Sequence, residues 1–596
     1  MNPFARLRRA LAVAPQAWAL AAPYFHSERR WHARGLLCAI VALNLAAVYM
    51  LVQINAWNRL FYDALQQRDA AVFWQQLARF GWLAMTYVVI AVYRFYLTQR
   101  LQIAWRRWLT EHTLARWLQG KAFYRLELAR FQDDKGGNGA MPDNPDQRIQ
   151  EDLNLFTAAT VGLSMGLLNA LVTLASFVGI LWGLSAGVGL PLPAALGGPR
   201  ELPGFMVWMA LLYCVAGSAI TFWVGRPQMR LNYRQQRLEA DFRHRMVRVR
   251  EHSEAIALDG GEGVEGAQLD VRLRDVLANY LQLVKAQKNL VWFTSFFGQA
   301  AVVFPFIIAA PRFFTGAIQL GELMQIASAF DRVQGSLSWI VDNYADLAAW
   351  RATTERLGGF QASLAAQTAA GAQELHPEPG ERLQAHELTV RLPDGQPLLA
   401  GAELAAAPGD AILISGPSGV GKSTLLRALA GIWPYAQGRV TLPGDAMFIP
   451  QRPYFPDGPL RDALAYPEPA AHYSDAELRR ALDEARLPAL GARLDEAGAW
   501  NARLSGGEQQ RLAIARVLLK RPAWVFADEA TSALDGPTEG LLYQRLQALV
   551  LGRGALVSVA HRDSVQPYHR TRWRLLPGAA GLRAEPIAAA TAAQAQ

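Results

Sequence analysis

The chain has 596 residues, enough for several domains, and its 52% hydrophobic content and mean hydropathy of +0.07 are high for a purely soluble protein. Its formal net charge of +9 is compatible with a nucleic-acid partner, but basic loops on the cytoplasmic side of a membrane protein explain the charge more simply. The two cysteines, Cys38 and Cys214, both lie in apolar runs, which argues against a disulfide framework or a zinc site.

The chain begins with a basic stretch followed by an apolar one. A cleaved signal peptide has this pattern, but Pro15 interrupts the apolar stretch and a longer apolar segment comes after it. We therefore expect residues 1–32 to form an amphipathic lead-in helix at the membrane surface. Residues 33–356 are then predicted to form a transmembrane domain with six spans of about 20 residues each. The spans cover residues 33–53, 80–99, 157–182, 205–224, 290–310 and 319–341, and the last has the weakest apolar signal.

Basic residues are distributed unevenly among the loops between these spans. Arginines precede the first span, and long basic stretches follow the second and the fourth, whereas the other loops carry few. This asymmetry places both chain ends and the two long loops in the cytoplasm. Because charged and apolar residues mix at helical spacing over 99–128 and 226–287, we expect the spanning helices to continue beyond the bilayer there.

Two segments mark the tips of these cytoplasmic loops. NPDQRIQED starts with Asn-Pro, which favours a turn and the capping of a short helix, and SEAIALDGGEGVE is broken by two glycines. Short capped helices at loop tips suit contact with a partner domain, although ordinary polar turns would explain the spacing equally well. The candidate coupling residues are Asn144, Pro145, Asp146, Gln147, Arg148, Glu254, Gly260, Gly261 and Glu262.

Charge is costly within a membrane span, so the ionisable residues Arg94 in the second span and Asp331 and Arg332 in the sixth are of interest. All three are candidates for the lining of a translocation path. The alternative is that the sixth span is shifted, so that Asp331 and Arg332 lie near its aqueous end. Asn44, in the first span, is expected to make a hydrogen bond between helices.

The apolar spans stop after Arg356. We interpret residues 357–382 as a flexible connector, 383–576 as a globular α/β domain and the alanine-rich 577–596 as a disordered tail. In the α/β domain an apolar strand at 411–415 leads into GPSGVGKST and a helix, the context that a P-loop requires. Its glycines let backbone amides wrap phosphates, its lysine neutralises them and its serine can bind magnesium. The loop comprises Gly416, Pro417, Ser418, Gly419, Val420, Gly421, Lys422, Ser423 and Thr424.

Residues 504–535, LSGGEQQRLAIARVLLKRPAWVFADEATSALD, combine two further signals. A Gly-rich turn opens a helix, where consecutive backbone amides make a site for a terminal phosphate. A hydrophobic strand then ends in Asp528 and Glu529, of which one carboxylate can orient magnesium while the other positions a water. Together with the P-loop, these signals exclude most other families of nucleoside triphosphatases (NTPases). The turn comprises Leu504, Ser505, Gly506, Gly507 and Glu508.

On these motifs the chain resembles an ATP-binding cassette (ABC) half-transporter, with LSGGEQQR as its signature. NPDQRIQED, NYRQQRLEADFRHRMVRVRE and the EAIA segment are similar to a branch that holds the peroxisomal fatty-acyl-CoA transporters and bacterial BacA/SbmA-related proteins with an ATPase domain. NAWNRLFYDALQQRD and AFDRVQGSLSWIVDNY look more like the bacterial members. The resemblance implies the exporter-type fold: a six-helix all-α transmembrane domain followed by an α/β P-loop NTPase domain.

The resemblance also implies roles for individual residues. Gln451, in FIPQRP, matches the glutamine that senses magnesium and contacts the membrane domain, and His561, after LVSV, matches the switch histidine that contacts the terminal phosphate. SALD, at 532–535, matches the loop that couples two ATP sites. No aromatic residue precedes the P-loop in LTVRLPDG, so the adenine contact stays unassigned. Catalysis is thereby expected from Lys422, Glu529 and His561, and magnesium binding from Ser423, Gln451 and Asp528.

As a half-transporter the chain is expected to form a homodimer, with ATP and Mg²⁺ as cofactors, in which each signature closes over the nucleotide of the other copy. The expected function is ATP-driven movement of bulky, hydrophilic cargo such as cobalamin or peptides across a bacterial inner membrane. Export, or movement of lipids or acyl-CoA, is the alternative. A regulatory or channel-forming ABC protein fits less well because Ser505, Glu529 and His561 are intact. A soluble ABC ATPase acting on nucleic acid fits less well because of the spans.

Overall fold

A computed structural model describes residues 13–133, 144–185, 189–190, 200–201, 203–371, 375–576 and 582–586. The chain divides into two compact units. The first comprises the chain up to Thr113 together with Asn144–Gly358, and the second comprises Leu114–Asp143 together with the chain from Gly359 onwards.

Helices make up most of the described residues before residue 375. They are α1 (Ala14–His26), α2 (Arg30–Gln67), α3 (Ala70–Leu118), α4 (Ala122–Asp133), α5 (Pro145–Leu184), α6 (Phe205–Glu251), α7 (Ser253–Asp259), α8 (Glu262–Phe314), α9 (Leu320–Asp342) and α10 (Tyr344–Gly371). A short antiparallel pair, β1 (Gly189–Leu190) and β2 (Arg200–Glu201), lies between α5 and α6. Of the described helices, five are long and apolar enough to cross a membrane, namely α2, α3, α5, α6 and α8.

The sixth predicted span corresponds to α9, which lies inside the helical bundle. It packs against α2, α5, α6 and α8. Ile326, Ala329, Phe330 and Val333 follow one another at helical spacing and are almost completely buried. Since neighbouring helices cover much of α9, its side chains need not all be apolar, which explains why its apolar signal is weak.

Three of the long helices extend well beyond their apolar segments. Helix α3, which contains the second predicted span, continues to Leu118, α6 continues to Glu251, and α8 begins at Glu262. The short helix α7 lies between α6 and α8 and ends at Gly260, whose φ of 62° is the left-handed conformation that glycine adopts freely. The break predicted at the two glycines is therefore present.

The segment after Asn144 differs from the prediction of a separate short helix. Pro145 opens α5, which passes through a π-helical turn at Arg148–Asp152 and continues to Leu184. Proline suits the first helical position because its φ is already helical, and neither glycine nor proline occurs within the next turns to stop the helix. Asn144 adopts a left-handed φ of 56°, and its side chain makes no capping hydrogen bond.

The prediction of a flexible connector at 357–382 is wrong for its first part, because α10 continues to Gly371. Leu357, Phe360 and Leu364 recur at helical spacing and are each about 1% exposed. Burial of this apolar face stabilises a helix where composition alone indicates a linker.

The lead-in segment is helical over Ala14–His26, and its first twelve residues lie outside the described part of the chain. The buried face of α1 includes Tyr24, whose ring stacks on Trp105 of α3 with the ring centroids 6.1 Å apart. The helix thus packs on the extension of α3, and its position at a membrane surface stays a prediction.

The second unit is an α/β domain whose described residues form two main sheets and one short antiparallel pair, β9 with β10. Its strands are β3 (Glu378–Pro379), β4 (Leu383–Arg391), β5 (Pro397–Ala406), β6 (Ala411–Ser415), β7 (Ala436–Leu442), β8 (Ala446–Ile449), β9 (Gly458–Pro459), β10 (Ala497–Gly498), β11 (Trp524–Asp528), β12 (Leu556–Val559), β13 (Thr571–Leu575) and β14 (Leu582–Pro586). The larger sheet has the strand order β14-β13-β6-β12-β11-β8, and the smaller has the order β3-β7-β4-β5. In the larger sheet, β6, β8, β11, β12 and β13 run parallel, and β14 pairs antiparallel with β13.

The helices of this domain arise from the same pattern of apolar residues. They are α11 (Lys422–Leu429), α12 (Leu460–Ala465), α13 (Asp475–Glu484), α14 (Trp500–Arg503), α15 (Gly506–Lys520) and α16 (Gly536–Val550). Two buried clusters hold them to the sheets, one containing α15 and α16 and the other containing Trp524 and Phe526 of β11. Strands covered on both faces are nearly continuous apolar runs, as β6 and β11 are.

Helix α4 belongs to this second unit although it precedes α5 in the chain. Leu128 packs against the cluster that contains Trp524 and Phe526. Arg125 donates a hydrogen bond from Nη1 to the carbonyl of Gln367 at 3.3 Å. The loop after the second predicted span therefore supplies a helix to the second unit.

The prediction of a disordered tail at 577–596 is wrong for residues 582–586. They form β14, in which Leu582 pairs with Leu575 of β13. The edge of a sheet presents unpaired backbone groups, and a returning strand satisfies them. The rest of that tail lies outside the described residues.

Candidate functional site

The P-loop connects β6 to α11. Gly416, Gly419 and Gly421 have φ angles of 152°, 80° and 99°, which favour glycine. A Cβ atom on Gly416 would lie 2.7 Å from the carbonyl oxygen of Leu575, so close packing as well as backbone conformation requires glycine there. The loop can therefore turn its backbone amides towards a phosphate.

Lys422 opens α11 and is held by the loop that precedes it. Its Nζ donates hydrogen bonds to the carbonyl oxygens of Gly416 at 3.0 Å and Pro417 at 2.9 Å. Burial lowers the pKa of Lys422, and the carboxylates of Glu529 and Asp528 oppose this shift. The ammonium is thus fixed at the mouth of a loop built to bind an anion.

Asp528 ends β11, and the hydroxyl of Ser423 donates a hydrogen bond to its Oδ1 at 3.0 Å. Parallel strands bring their carboxyl ends to one edge of a sheet, which explains how residues 105 positions apart meet. Burial raises the pKa of Asp528, whereas the hydrogen bond from Ser423 lowers it. A carboxylate and a hydroxyl are hard oxygen ligands of the kind that Mg²⁺ prefers.

Glu529 comes directly after Asp528 and has two side-chain partners. The amide of Gln451 donates to Oε2 at 3.0 Å, and Nε2 of His561 lies 3.1 Å from Oε1. Gln451 comes after β8, Glu529 after β11 and His561 after β12, so three neighbouring parallel strands deliver the group. The φ of Glu529 is 48°, a left-handed conformation that costs a residue with a Cβ about 1 kcal/mol.

The signature turn forms the N-terminus of α15. Ser505 is the N-cap in a reciprocal capping box with Glu508, whose Oε2 accepts hydrogen bonds from the backbone N of Ser505 at 2.9 Å and from its Oγ at 2.7 Å. These two hydrogen bonds hold the pKa of Glu508 below its usual range. Among the described residues, no hydrogen bond joins residues 504–508 to the P-loop of the same chain.

Gln510 is a site residue that the sequence patterns do not single out. Its Nε2 donates to the carbonyl oxygen of Glu529 at 3.3 Å and to Oγ of Ser532 at 2.9 Å, and its Oε1 accepts from the backbone N of Ala533 at 2.8 Å. The signature helix is therefore bonded to the segment that carries Glu529. Nothing in a single sequence separates Gln510 from its neighbour Gln509, which bonds the carbonyls before the helix instead.

Asp152, the last residue of the NPDQRIQED segment, is a second residue whose role the sequence does not indicate. It is 2% exposed and accepts hydrogen bonds from Arg148 in its own π turn and from Arg356 of α10, whose Nη2 lies 2.7 Å from Oδ1. The pairing spans 204 residues, which no local pattern reveals. Among the candidate coupling residues, Arg148 therefore stabilises the tip that begins at Asn144 through its bond to Asp152. Glu254 and Glu262, at the tip between α6 and α8, are exposed.

The charged residues predicted within the spans lie in different surroundings. Arg94 donates a hydrogen bond from Nη1 to Oδ1 of Asn44 at 3.2 Å, which joins α3 to α2. Asp331 and Arg332 lie midway along α9 and are exposed, although Phe330 and Val333 beside them are buried.

Comparisons with known proteins agree with this architecture. A family model described as ABC transporter transmembrane region 2 matches residues 20–314, and one described as ABC transporter matches 399–532. Three relatives match nearly the whole chain. The inner membrane ABC transporter ATP-binding protein YddA of Escherichia coli is 32% identical over 89% of this chain and 92% of its own length. ABC transporter D family member 2 of Arabidopsis thaliana is 31% identical, over 92% and 84%. The human lysosomal cobalamin transporter ABCD4 is 26% identical, over 91% of each.

A solved structure also resembles this fold. The structure of a bacterial Atm1-family ABC exporter with ATP bound aligns with a TM-score of 0.65, over 91% of this chain and 93% of that chain. The two sequences are 20% identical, so the likeness concerns the fold. It identifies the architecture as exporter-type, with a helical transmembrane domain followed by a P-loop ATPase.

Proposed function

The chain belongs to the D family of ABC transporters, as a half-transporter that hydrolyses ATP to drive transport, and we propose that its cargo is a bulky hydrophilic molecule such as cobalamin or a peptide. The observation that carries the proposal of an active ATPase is the environment of Glu529, whose two carboxylate oxygens are held by Gln451 and His561. The choice of cargo is supported by the relationship to the human lysosomal cobalamin transporter.

In the proposed reaction, Glu529 orients the attacking water and accepts its proton as the water oxygen bonds to the γ-phosphorus. The bond from that phosphorus to the bridging oxygen breaks, and ADP leaves with its electron pair. His561 lies beside that carboxylate and donates to the γ-phosphate, and Lys422 neutralises charge on the phosphate oxygens. A carboxylate held by two neighbours needs little reorganisation when the water arrives, which is how positioning lowers a barrier.

Magnesium fits the residues at this edge of the sheet. Ser423 and Asp528 offer hard oxygen ligands and lie within hydrogen-bond distance of each other, and Gln451 comes after β8, the strand beside the one that Asp528 ends. We propose that these three residues hold the ion. When bound, Mg²⁺ withdraws charge from the phosphate oxygens.

A half-transporter works as a dimer, and we propose a dimer of identical chains. The signature serine makes its hydrogen bonds within its own turn, and its P-loop partner would be that of a second copy. Two identical composite sites would result, both with Glu529 in place. The relationship to the E. coli protein supports an inner-membrane location, with the ATPase domain and both chain ends in the cytoplasm.

Uptake assays test the cargo. Cells that carry wild-type protein should accumulate labelled cobalamin or peptide faster than cells that carry Glu529→Gln, which retains the shape of the side chain and loses its charge. Expression and ATP binding should be equal in both. Equal uptake by the two strains would contradict the proposal, and ATP-dependent efflux from the same cells would favour the export alternative.

A further inference from the structure

One buried carboxylate, that of Glu539, is not among the predicted site residues. It accepts hydrogen bonds from the segments that follow Glu529 and His561. Glu539 lies in the first turn of α16 and is 1% exposed. Its Oε1 accepts a hydrogen bond from Oγ1 of Thr531 at 2.7 Å, and its Oε2 accepts one from Oγ of Ser564 at 2.7 Å. Each carboxylate oxygen therefore has a hydroxyl donor from a different loop.

The two donors belong to the loops that carry the proposed catalytic groups. Thr531 comes two residues after Glu529, and Ser564 comes three residues after His561. The side chain of Glu539 thus fixes the spacing between the segment after β11 and the segment after β12. Arg562, which follows His561, joins the same two loops because it donates to the carbonyl oxygens of Leu534 at 2.6 Å and Ser532 at 2.8 Å.

A carboxylate is a costly choice for a purely structural position. Removing it from water carries a large desolvation penalty, which two neutral hydroxyl donors and the N-terminus of a helix offset only in part. An apolar side chain of similar volume would usually stabilise such a site at least as well. What the carboxylate adds is geometry, because two short and directional hydrogen bonds hold two loops in one arrangement.

We propose that Glu539 is a positioning residue that sets the separation of Glu529 and His561, and with it the competence of the site for hydrolysis. The inference rests on the proposed roles of those two residues. Loss of the Glu539 carboxylate should leave the P-loop intact, since no hydrogen bond of Glu539 among the described residues reaches 416–424. The loss should therefore lower kcat much more than it changes the KM for ATP.

The test measures steady-state ATP hydrolysis by the full-length protein in lipid nanodiscs. Glu539→Gln, Thr531→Val and Ser564→Ala should each lower kcat, with Glu539→Gln falling about 10- to 100-fold and the KM for ATP changing by no more than about twofold. Combining Glu539→Gln with His561→Ala should lower kcat little beyond the effect of His561→Ala alone, because both changes remove the same arrangement.

A matched control separates positioning from stability. Leu546 lies two turns later on α16, is 1% exposed and belongs to the apolar core. Leu546→Ala should lower the melting temperature and leave kcat per folded protein within about twofold of wild type. Thr531→Val and Ser564→Ala keep the proposal testable if variants of Glu539 fail to fold.

The following outcomes would overturn the inference. Wild-type kcat in Glu539→Gln would do so directly, and so would an equal fall of kcat in Leu546→Ala. Hydrolysis that persists in Glu529→Gln would overturn the proposed function and this inference with it. Hydrolysis that is lost in Glu529→Gln while Glu539→Gln stays at the wild-type rate would overturn this inference alone.

Discussion

His561 and Glu529 meet with Nε2 of the imidazole 3.1 Å from Oε1 of the carboxylate, although 32 residues separate them in the chain (561 − 529). Gln451 donates to the other carboxylate oxygen at 3.0 Å. Each of the three residues comes after a different parallel strand of one sheet. The orientation of Glu529 therefore depends on two separate loops, so that a change in either loop reaches the proposed base.

Replacing His561 by alanine should slow hydrolysis without preventing ATP binding. The variant loses the group beside Oε1 of Glu529, while Lys422 and the P-loop stay in place. We expect kcat to fall about 100-fold and the KM for ATP to change far less. Steady-state hydrolysis across a range of ATP concentrations measures both constants. His472→Ala, at an exposed position of the same domain, is the control, and an equal loss in that variant would contradict the prediction.

Gln510→Glu should uncouple the signature helix from the segment that carries Glu529. The new carboxylate would face the carbonyl oxygen of Glu529, to which the amide of Gln510 now donates. The hydrogen bond to that carbonyl oxygen is lost and an acceptor meets an acceptor, so we expect kcat to fall about tenfold. Gln544→Glu adds the same charge at an exposed position on α16 and should hydrolyse ATP at the wild-type rate. A wild-type kcat in Gln510→Glu would show that the contact does not matter.

The parts of the site that can be predicted from sequence are those that local pattern specifies. The strands before Lys422, Glu529 and His561 are short apolar runs, and parallel strands place the loops at their carboxyl ends along one edge of the sheet. Glycine positions in the P-loop are required by backbone conformation in the same way. The assignment of roles to Gln451 and His561 required the family resemblance, because neither residue stands out by spacing.

The features that sequence does not reveal depend on packing over long separations. Glu539 lies in an ordinary first helical turn, and only the fold shows that Thr531 and Ser564 both donate to it. Asp152 and Arg356 meet across 204 residues. Sequence composition is misleading for α9, whose apolar signal is weak, and for 357–371, whose composition is that of a linker. Both segments are helices with buried faces, because residues distant in the chain pack against them.

Removing the Asp152 carboxylate should destabilise the first unit. Its side chain is 3% exposed and pairs with Arg148 and Arg356, so Asp152→Ala leaves two guanidinium groups without their partner. Breaking a buried pair from one side costs roughly 3 kcal/mol. Adding Arg356→Met should recover part of that loss, because one uncompensated charge is removed.

Thermal unfolding of the purified protein, followed by calorimetry, measures the effect of these two changes. Arg351→Met is the matched control, since that arginine pairs with Glu355 on the exposed surface of α10 and such pairs contribute little. A melting temperature of Asp152→Ala equal to that of wild type would contradict the prediction.

His569 should make the ATPase domain less stable below neutral pH. It is 5% exposed, its Nδ1 is bonded to the carbonyl oxygen of Val565 at 2.9 Å, and its ring meets Tyr543 edge-to-face. Burial lowers the pKa of His569 to about 4 from an ordinary value of 6.5, and the hydrogen bond to Val565 opposes that shift. Below pH 6.5 the unfolded chain therefore takes up a proton that the folded chain does not bind until about pH 4.

The free energy of unfolding should accordingly fall by roughly 3 kcal/mol as the pH drops from about 6.5 to about 4. Outside that pH range, His569 should not contribute to any change in stability. His569→Phe keeps an aromatic ring against Tyr543 and removes the titration. It should lower stability at pH 7.5 by about 1 kcal/mol, through loss of the bond to Val565, and flatten the dependence on pH. Calorimetry of the purified protein at several pH values measures the effect. The unfolding transition of the ATPase domain is the one whose melting temperature rises when ATP is added. His472→Phe is the control, because an exposed imidazole is not held neutral by burial. If the stability of His569→Phe kept the wild-type dependence on pH, or if His472→Phe flattened it equally, the pH dependence would belong to other groups.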